Sequence, residues 1–353
     1  LAGTLERLAQ DGAAGFYQGR TAELIVAQMQ RSGGHVALAD LAAYAPVERE
    51  VLRGTYRGYE VLSMPPPSSG GVALLEMLNL LEPYDLRGLG FGSSQYVHLL
   101  TEVMRRAYAD RARWLGDPDH YAVPLAGLIS KDYADKLRAS IRTDRVTEVL
   151  PGLPAGAHES DDTTHFSIVD AAGNAVACTT TINSTFGAGE VVEGAGFLLN
   201  NEMDDFSAKP GVPNQFGLVG GKANAIEKDK RMLSSMTPTI VLRDGQVQLV
   251  LGAPGGGRII TAVLQVLLDV VDHGMDLETA VRAPRIHHQW KPEWLSYETL
   301  SLSADVRERL AAMGHTFAPS PMSIGRVQAI QIGADGLRIA VCDHRSGGAA
   351  AAQ

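Results

Sequence analysis

Apolar residues recur three and four positions apart through most of the chain before residue 143. This spacing collects them on one face of a helix, so it predicts a mostly helical first half. The segment YEVLSM predicts one strand among the helices. The basic residues from Arg105 to Arg113 fall on the longest helix, where we expect a solvated or salt-bridged face. The clearest helical segments are TAELIVAQMQ, VALLEMLNLLE and YVHLLTEVMRRAYADRARWL.

After residue 162 the apolar pattern changes from the helical period to an alternation of two. Pairs of alternating segments, separated by short turns such as AAGN and Asp244-Gly245, predict three β-hairpins. Apolar helical segments at roughly 256–273 and 303–313 lie between them. Hairpins separated from helices indicate an α+β fold with mainly antiparallel sheets covered by helices. The paired segments are THFSIVD with AVACTTTIN, TPTIVLRD with QVQLVLGA, and VQAIQIG with LRIAVC.

The boundary between the two halves is rich in proline, glycine and charge. Residues 143–162, TDRVTEVLPGLPAGAHESDD, show no apolar period, so we expect an exposed connection that can be cut. The sequence therefore divides into residues 1–162, which are mostly helical, and residues 163–353, which carry the hairpins.

Composition narrows the possible functions. The 353 residues are 45% hydrophobic and 20% charged, which is enough to bury a large core. A net charge of −9 with scattered basic residues argues against a nucleic-acid partner, because phosphate binding needs a basic face. No apolar run reaches the roughly 18 residues of a membrane span. Small molecules are the favoured partners.

The sequence contains no pattern typical of a metal site. Cys178 and Cys342 are its two cysteines, and neither belongs to a Cys-x-x-Cys or Cys/His cluster. We expect no zinc site and no disulfide framework, while a single bridge between these two cysteines stays open. The adjacent His287 and His288 lack a neighbouring carboxylate or cysteine, so we interpret them as structural.

The stretch DDTTHFSIVD at 161–170 raises a chemical question. Asp161, Asp162, Thr163 and Thr164 could form a polar loop at the edge of a strand. Alternatively, Thr163 is a latent N-terminus that appears when the bond after Asp162 is cut. A threonine hydroxyl needs a nearby base, and an N-terminal threonine supplies one from its own α-amino group, whose pKa is about 7.7–8.0.

Two further pairs of polar residues have a spacing that suits a binding site. Glu202 and Asp205 are three apart, so on a helical turn they share a face and form a negative pocket for an ammonium group. Paired carboxylates also suit acid–base catalysis or a Ca²⁺ site, although the chain lacks a DxDxDG-type loop. Thr181 and Asn183 are two apart in TTTIN and should project to one side of a strand.

The glycine-rich turn GAPGGGR at 252–258 precedes an apolar helix. Such turns expose main-chain N–H groups that suit a negative charge, whether a phosphate or an oxyanion. A P-loop needs lysine followed by serine or threonine after its glycines, and this stretch has Arg258 and Ile259 instead. The pattern therefore disfavours a nucleotide site.

Seven motifs after residue 162 occur in one order and resemble the γ-glutamyltranspeptidase family of N-terminal nucleophile hydrolases. DLAAY, YRGYEV, SMPPPSSGG and YADRARWLGDPD in the first half are also similar to this family, so the resemblance covers nearly the whole chain. It implies a layered αββα fold, built by both halves as one intertwined domain. The seven motifs are TTHFSIVD, TTTINSTFGAG, LLNNEMDDFSAKPGVPN, GLVGG, KRMLSSMTPTIV, GAPGGGRIITAVLQV and APRIHHQW.

The resemblance also implies a role for each motif. Self-cleavage between Asp162 and Thr163 would separate residues 1–162, the end of a large subunit, from residues 163–353, a small catalytic subunit that begins with the nucleophile. The other implied roles are a hydrogen bond from Thr181 to the Thr163 hydroxyl, substrate binding by Asn183, ammonium binding by Glu202 and Asp205, α-carboxylate binding by Ser234 and Ser235, and an oxyanion hole at Gly255 and Gly256.

The sequence departs from the family at two places. Family members bind the α-carboxylate with an additional arginine in the N-terminal part of the large subunit, and no position here matches it. Arg231, close to the serine pair, is the first replacement to test. Phe216 stands where many members carry a tyrosine, so a lid over the glutamyl pocket would keep its aromatic cover and lose a hydroxyl.

The implied activity is that of a γ-glutamyl hydrolase and transpeptidase without a cofactor. The enzyme would move the γ-glutamyl group of a glutathione-like donor, through an ester on Thr163, to water or to an amino acid or peptide. A glutaryl-type (cephalosporin) acylase of the same superfamily is the alternative enzyme. The alternative without activity is an inactive fragment or unprocessed scaffold.

The first residues, LAGTLERLAQDG, have helical spacing but no initiator methionine and no signal-peptide pattern. We therefore expect an upstream segment that supplies the carboxylate-binding arginine and covers the apolar faces of the hairpins. Family resemblance implies a periplasmic or secreted location.

Overall fold

The computed structural model describes residues 1–150 and 163–352. These residues form two compact units. The first unit combines Leu1–Glu50 with Ile182–Glu202, and the second contains the described residues from Val51 to Thr181 and from Met203 onward. Both of the segments predicted from the cleavage site, 1–162 and 163–353, thus contribute to each unit. The prediction that they are separate chains concerns a covalent bond and stays a prediction.

The first unit is a small helical layer over an irregular segment. Ile25, Val192 and Ala195 form its buried core. Thr4 donates its hydroxyl to the carbonyl of Ala195 at 2.9 Å, which ties the first helix to that segment. This packing fixes the part of the chain that carries Asn183. The helices are α1 (Ala2–Asp11), α2 (Ala14–Tyr17), α3 (Gly19–Ser32) and α4 (Leu38–Ala43).

The second unit contains the sheets and the longer helices. Its helices are α5 (Gly70–Leu81), α6 (Leu86–Leu89), α7 (Ser94–Trp114), α8 (Leu125–Leu128), α9 (Lys131–Arg138), α10 (Arg258–Val271), α11 (Leu277–Arg282) and α12 (Ala304–Ala312). Its strands are β1 (Leu52–Tyr56), β2 (Tyr59–Ser63), β3 (Thr164–Val169), β4 (Ala175–Thr180), β5 (Thr239–Arg243), β6 (Gln246–Gly252), β7 (Ile286–His287), β8 (Ser296–Tyr297), β9 (Gln328–Ile332) and β10 (Arg338–Cys342).

Six strands form one antiparallel sheet in the order β1-β2-β5-β6-β9-β10. The hairpin β3–β4 contacts β5, β6 and β9 of that sheet, while α5 contacts β1 and β2, and α10 contacts β6. All twelve residues of α5 are buried because α7, α9 and α10 pack around it. The prediction of an α+β fold with mainly antiparallel sheets is confirmed, as are the three hairpins.

The strand β1 was not predicted from the sequence. This strand pairs with β2 through a tight turn in which Arg57 has φ +51° and Gly58 has φ +81°. Its sequence, LRGTY, is short and contains a glycine, which weakens the β signal.

The outer surface of the β3–β4 hairpin is apolar. Phe166, Ile168 and Val176 are exposed, whereas the side chain of His165, one position away, is buried. This alternation follows the period of two of a strand. The predicted cover from an upstream segment stays a prediction.

Helices α5 and α7 bury two carboxyl groups side by side. Glu76 is 1% exposed, and its Oε1 atom has no hydrogen-bond partner among the described residues. Asp110 accepts a hydrogen bond from the hydroxyl of Tyr133 at 2.6 Å. Burial, followed by the charge of Asp110, raises the pKa of Glu76 well above its usual range. Glu76 is therefore expected to keep its proton to a higher pH in the folded chain than in the unfolded chain.

This pair predicts a pH-dependent stability. The folded chain keeps a proton on Glu76 that the unfolded chain releases above a pKa of about 4.3, so the contribution of Glu76 to stability falls as the pH rises above that value. We expect Glu76→Gln to remove this loss. The free energy of unfolding of the variant, relative to the original protein, should rise by up to about 1.4 kcal/mol per pH unit.

Denaturant unfolding between pH 5 and pH 7.5 measures the effect. The same change at the exposed Glu308 on α12 is the control and should give a flat difference. A flat difference for Glu76→Gln as well would show that Glu76 is ionised in the folded protein.

Candidate active site

Thr163 lies immediately before β3, and its hydroxyl faces that of Thr181. Thr164 pairs with Thr180 in the β3–β4 register, so the next residues outward, Thr163 and Thr181, come together at the end of the hairpin. Thr163 Oγ1 donates to Thr181 Oγ1 at 3.3 Å. Asp162, the other residue of the predicted cleavage site, lies outside the described residues.

The prediction that Thr181 and Asn183 share one side of a strand is wrong. The strand β4 ends at Thr180, and Asn183 adopts the left-handed conformation with φ +74°. The chain turns away there, and Asn183 Nδ2 donates to the carbonyl of Asn201 at 3.2 Å. Side chains alternate between the two faces only within a strand, so Thr181 and Asn183 do not share a strand face.

Thr163 lines a cavity of about 370 Å³ in the second unit. The lining also includes Pro254, which immediately precedes Gly255, together with Arg326 and residues 348–351. This size is suitable for a small organic substrate. The nucleophile candidate and the glycine-rich turn therefore border one space.

His165 anchors the hairpin below Thr163. Its ring is in hydrogen-bond contact with the hydroxyls of Thr179, at 2.8 Å, and Ser167, at 3.2 Å. A Cβ atom on Gly252 would meet the ring at 2.2 Å, so the glycine makes room for the imidazole. Burial lowers the pKa of His165 to about 4. The ring is neutral at neutral pH and serves as a packing and hydrogen-bonding group.

The turn before α10 requires glycine at two positions. Gly255 has φ +143° and Gly256 has φ +53°, both in the region that favours glycine. A Cβ atom on Gly256 would lie 2.9 Å from the ring of Phe216. Within the described residues, the main-chain N–H groups of Gly255 and Gly256 donate to no acceptor. The turn thus presents two successive N–H donors, the arrangement of an oxyanion hole.

Buried side chains hold this turn and its aromatic cover. The hydroxyl of Tyr108 donates to the carbonyl of Gly257. Gln289 Nε2 donates to the carbonyl of Phe216 at 2.9 Å, and Gln289 Oε1 is in hydrogen-bond contact with His287. Burial lowers the pKa of His287 to about 3, so the ring is neutral. This agrees with the structural interpretation of His287.

Asp205 ends the 3₁₀ turn Glu202–Asp205. Its Oδ1 accepts a weak hydrogen bond from Asn214 Nδ2 at 3.4 Å, and its carbonyl accepts one from Asn224 Nδ2 at 2.7 Å. These contacts fix the position of the Asp205 side chain and main chain. Such a carboxylate suits an ammonium ligand.

The remaining predicted ligands, Asn183 and Glu202, belong to the first unit. Asn183 is buried, and the main-chain N–H of Glu202 donates to Asn200 Oδ1 at 2.9 Å. Burial raises the pKa of Glu202 to about 7. A positive ligand beside this carboxyl group would favour its ionised form.

The serine pair lies against a second pair of serines. Ser69 donates both its main-chain N–H, at 2.8 Å, and its hydroxyl, at 2.7 Å, to the carbonyl of Ser234. Arg111 on α7 donates to the hydroxyls of Ser69, at 2.9 Å, and Ser235, at 3.1 Å. Ser69 and Arg111 were not among the site residues predicted from the sequence. Their motifs, SMPPPSSGG and YADRARWLGDPD, were the available signal, but no pattern connects residues so far apart.

The contacts of Arg231 differ from those of Arg111. Its main-chain N–H donates to Asp117 Oδ2 at 2.8 Å. This contact joins Arg231 to the loop after α7, whereas Arg111 donates to the hydroxyl of Ser235.

Within the described ranges, no group of three or more His, Cys, Asp or Glu side chains is arranged to hold a metal ion. In the same residues, no helix has the length and apolar character needed to cross a membrane. Cys178 and Cys342 are both free thiols, so the bridge that the sequence left open is not formed.

Comparison with known proteins decides the family. Residues 1–353 match the family described as Gamma-glutamyltranspeptidase. The chain belongs to this family.

Several γ-glutamyltranspeptidase relatives are similar over long stretches. The glutathione hydrolase proenzyme of Escherichia coli strain K12 is 48% identical over 349 residues, which are 98% of this chain and 60% of the relative. The structure of the gamma-glutamyltranspeptidase from Pseudomonas nitroreducens complexed with L-DON is 52% identical, with a TM-score of 0.52, and the match covers 54% of this chain and 99% of that chain.

A cephalosporin acylase from Bacillus halodurans shares the fold over almost the whole chain. Its crystal structure superposes with a TM-score of 0.84 at 26% identity, and the match covers 97% of this chain and 60% of the acylase chain. The predicted N-terminal nucleophile hydrolase fold is thus confirmed. The chain spans about 60% of the length of the curated relatives it matches.

Proposed function

We propose that the protein is a γ-glutamyl hydrolase and transpeptidase that acts through an ester on Thr163. The observation that carries the proposal is the hydrogen bond from Thr163 to Thr181 beside a cavity that also borders the Gly255 turn. The family membership and the glutathione hydrolase name of the Escherichia coli relative support it.

The reaction needs only groups of this chain. After cleavage, the α-amino group of Thr163 takes the proton of its own hydroxyl, and Oγ1 attacks the γ-carbonyl carbon of the donor. The N–H groups of Gly255 and Gly256 stabilise the oxyanion. The α-ammonium then returns the proton to the leaving amine, the C–N bond breaks, and a γ-glutamyl ester remains on Thr163. Water or the amine of an amino acid or peptide attacks this ester and frees the threonine hydroxyl.

The cleavage between Asp162 and Thr163 is part of the same proposal. The Thr163 hydroxyl attacks the carbonyl of Asp162, and the resulting ester is hydrolysed to two chains. The match to the Pseudomonas nitroreducens chain supports this step: 54% of 353 residues is about 190 residues, and the segment 163–353 contains 191. The word proenzyme in the name of the Escherichia coli relative is consistent with it.

A glutaryl acylase is the second candidate, and the acylase structure with a TM-score of 0.84 favours it. The two donors differ in one group, because a glutaryl chain lacks the α-amine of a γ-glutamyl chain. The carboxylate of Asp205 suits that amine as a ligand. The two substrate classes can therefore be distinguished by whether Asp205 contributes to the binding of a donor that carries an α-amine.

The test measures hydrolysis of matched γ-glutamyl and glutaryl anilides. We expect the unchanged protein to prefer the γ-glutamyl compound. Asp205→Asn should lower kcat/KM for this compound by roughly ten- to 150-fold, because a charge-assisted hydrogen bond contributes about 1.5–3 kcal/mol. The glutaryl compound should lose much less, because it presents no ammonium group.

The neighbouring Asp204 supplies a matched control. Its Oδ2 accepts a hydrogen bond from the main-chain N–H of Gln215 at 2.9 Å, so it has a local structural role. Asp204→Asn should affect both compounds alike. A preference for the glutaryl compound in the unchanged protein, or equal losses in Asp205→Asn, would favour the acylase.

A further inference from the structure

Arg111 is a buried cation behind the serine pair, where the sequence predicted a solvated or salt-bridged helix face. The residue is 5% exposed, and its guanidinium donates to Ser69 and Ser235. Among the described residues it forms no salt bridge. Burial lowers the pKa of Arg111, while Tyr108 and Asp205 act in the opposite direction. A buried charge without an ion pair is costly to the folded state. The arrangement is therefore suited to an anion that arrives with a ligand.

The hydrogen bonds that the hydroxyls of Ser234 and Ser235 accept show whether their own protons are used. Ser235 Oγ accepts from Arg111 Nη2 at 3.1 Å, and Ser234 Oγ accepts from the main-chain N–H of Met236 at 3.0 Å. Guanidinium and amide groups can only donate, so neither contact uses the hydroxyl proton. Neither hydroxyl donates to another described residue. Both protons are left for an acceptor that is not part of the described chain.

Ser69 differs from the pair. Its hydroxyl proton is used, because Ser69 Oγ donates to the carbonyl of Ser234 at 2.7 Å. The same oxygen accepts a hydrogen bond from Arg111 Nε. Ser69 thus fixes the position of the guanidinium and of the Ser234 main chain together.

We propose that Arg111 is a positioning residue for the α-carboxylate of the γ-glutamyl donor. It occupies the acceptor side of Ser235 Oγ, so the hydroxyl proton points to the carboxylate, and it places a positive charge behind both serines. The inference rests on the proposed function, since it concerns the same donor. It assigns to Arg111 the supporting role for which the sequence offered Arg231.

The test compares two ligands that differ only in the carboxylate. L-Glutamate carries the α-carboxylate, and 4-aminobutyrate is the same molecule without it. Calorimetric titration of the purified protein should show that Arg111→Met weakens glutamate binding by about tenfold or more and 4-aminobutyrate binding by less than about twofold. In turnover of a γ-glutamyl anilide, KM should rise while kcat stays within about threefold, because the groups at Thr163 are untouched.

Three further variants separate positioning from general effects. Arg113→Met removes an exposed charge from the same helix and should leave the binding of both ligands unchanged. Ser235→Ala should weaken glutamate selectively. Arg111→Lys keeps the charge but cannot reach both serines, so it should give an intermediate loss in the original background and no further loss in Ser235→Ala. Arg111→Lys and Ser235→Ala decide the question if Arg111→Met does not fold.

Equal losses for glutamate and 4-aminobutyrate would overturn the inference. Additive effects of Arg111→Lys and Ser235→Ala, or a glutamate-selective loss in Arg231→Met alone, would do the same. An inactive original protein that still binds glutamate through Arg111 would refute the proposed function alone. An active protein whose glutamate preference does not depend on Arg111 would refute this inference alone.

Discussion

Thr163→Ala is expected to yield a single uncut chain without measurable γ-glutamyl turnover. The substitution removes the hydroxyl that attacks the Asp162 carbonyl in maturation and the donor carbonyl in catalysis. Loss of a nucleophile typically lowers kcat by roughly 10⁴-fold or more. Denaturing electrophoresis with mass spectrometry measures the cleavage, and hydrolysis of a γ-glutamyl anilide measures turnover.

Thr164→Ala is the matched control because it removes the same group one residue later. Thr164 is exposed on β3, so this variant should be cut between Asp162 and Thr163 and should stay active. Thr163→Ser keeps a hydroxyl and should mature at a reduced rate. If Thr163→Ala still produced a chain that begins at residue 163, another group would have to be the nucleophile of maturation.

Gly255→Ala is expected to lower kcat by roughly 10²–10³-fold, the usual loss when one oxyanion donor is removed. Alanine rarely adopts φ +143°, and its Cβ atom would lie 3.1 Å from the Cα atom of Gly325. The peptide must therefore rotate, and its N–H loses its direction. KM should change less, because the ground-state donor has not yet formed an oxyanion. Steady-state kinetics and a thermal unfolding curve measure both effects.

Gly257→Ala tests whether the loss is specific. Gly257 has φ −57°, which alanine adopts readily, and its Cβ atom would lie 3.1 Å from the Cδ2 atom of Leu218. We expect kcat within about threefold of the original value. A similar large loss in both variants, with a matching fall in thermal stability, would indicate damage to the start of α10 and not to an oxyanion hole.

The sequence predicted most of the fold because its signals are local. The β3–β4 hairpin follows from alternation around AAGN, and α10 follows from apolar spacing after the glycines. Positions whose conformation involves contacts with distant segments were not predicted correctly. Asn183 was expected on a strand, but it adopts a left-handed conformation and is hydrogen-bonded to Asn201, 18 residues later.

Most residues of the candidate site could be predicted from the sequence, but their spatial arrangement could be predicted only in part. Thr163, Asp205 and the Gly255 turn stand out in the sequence through their motifs. Arg111 does not, because a charged residue on a long helix normally faces water or an opposite charge. In the folded protein 18 of the 21 residues of α7 are buried, so its buried arginines must find partners inside. Arg105 and Arg106 pair with Glu102.

The sequence alone determined the hairpins, the long helices and the family's chemical groups, since turn residues, apolar period and motif order are properties of short segments. Tertiary structure decided which groups meet. The contact of Arg111 with Ser235 joins positions 124 residues apart, and the contact of Gly256 with Phe216 depends on how a loop folds over α10. Such contacts arise from the packing of separate elements, and one chain's local pattern carries no record of that packing.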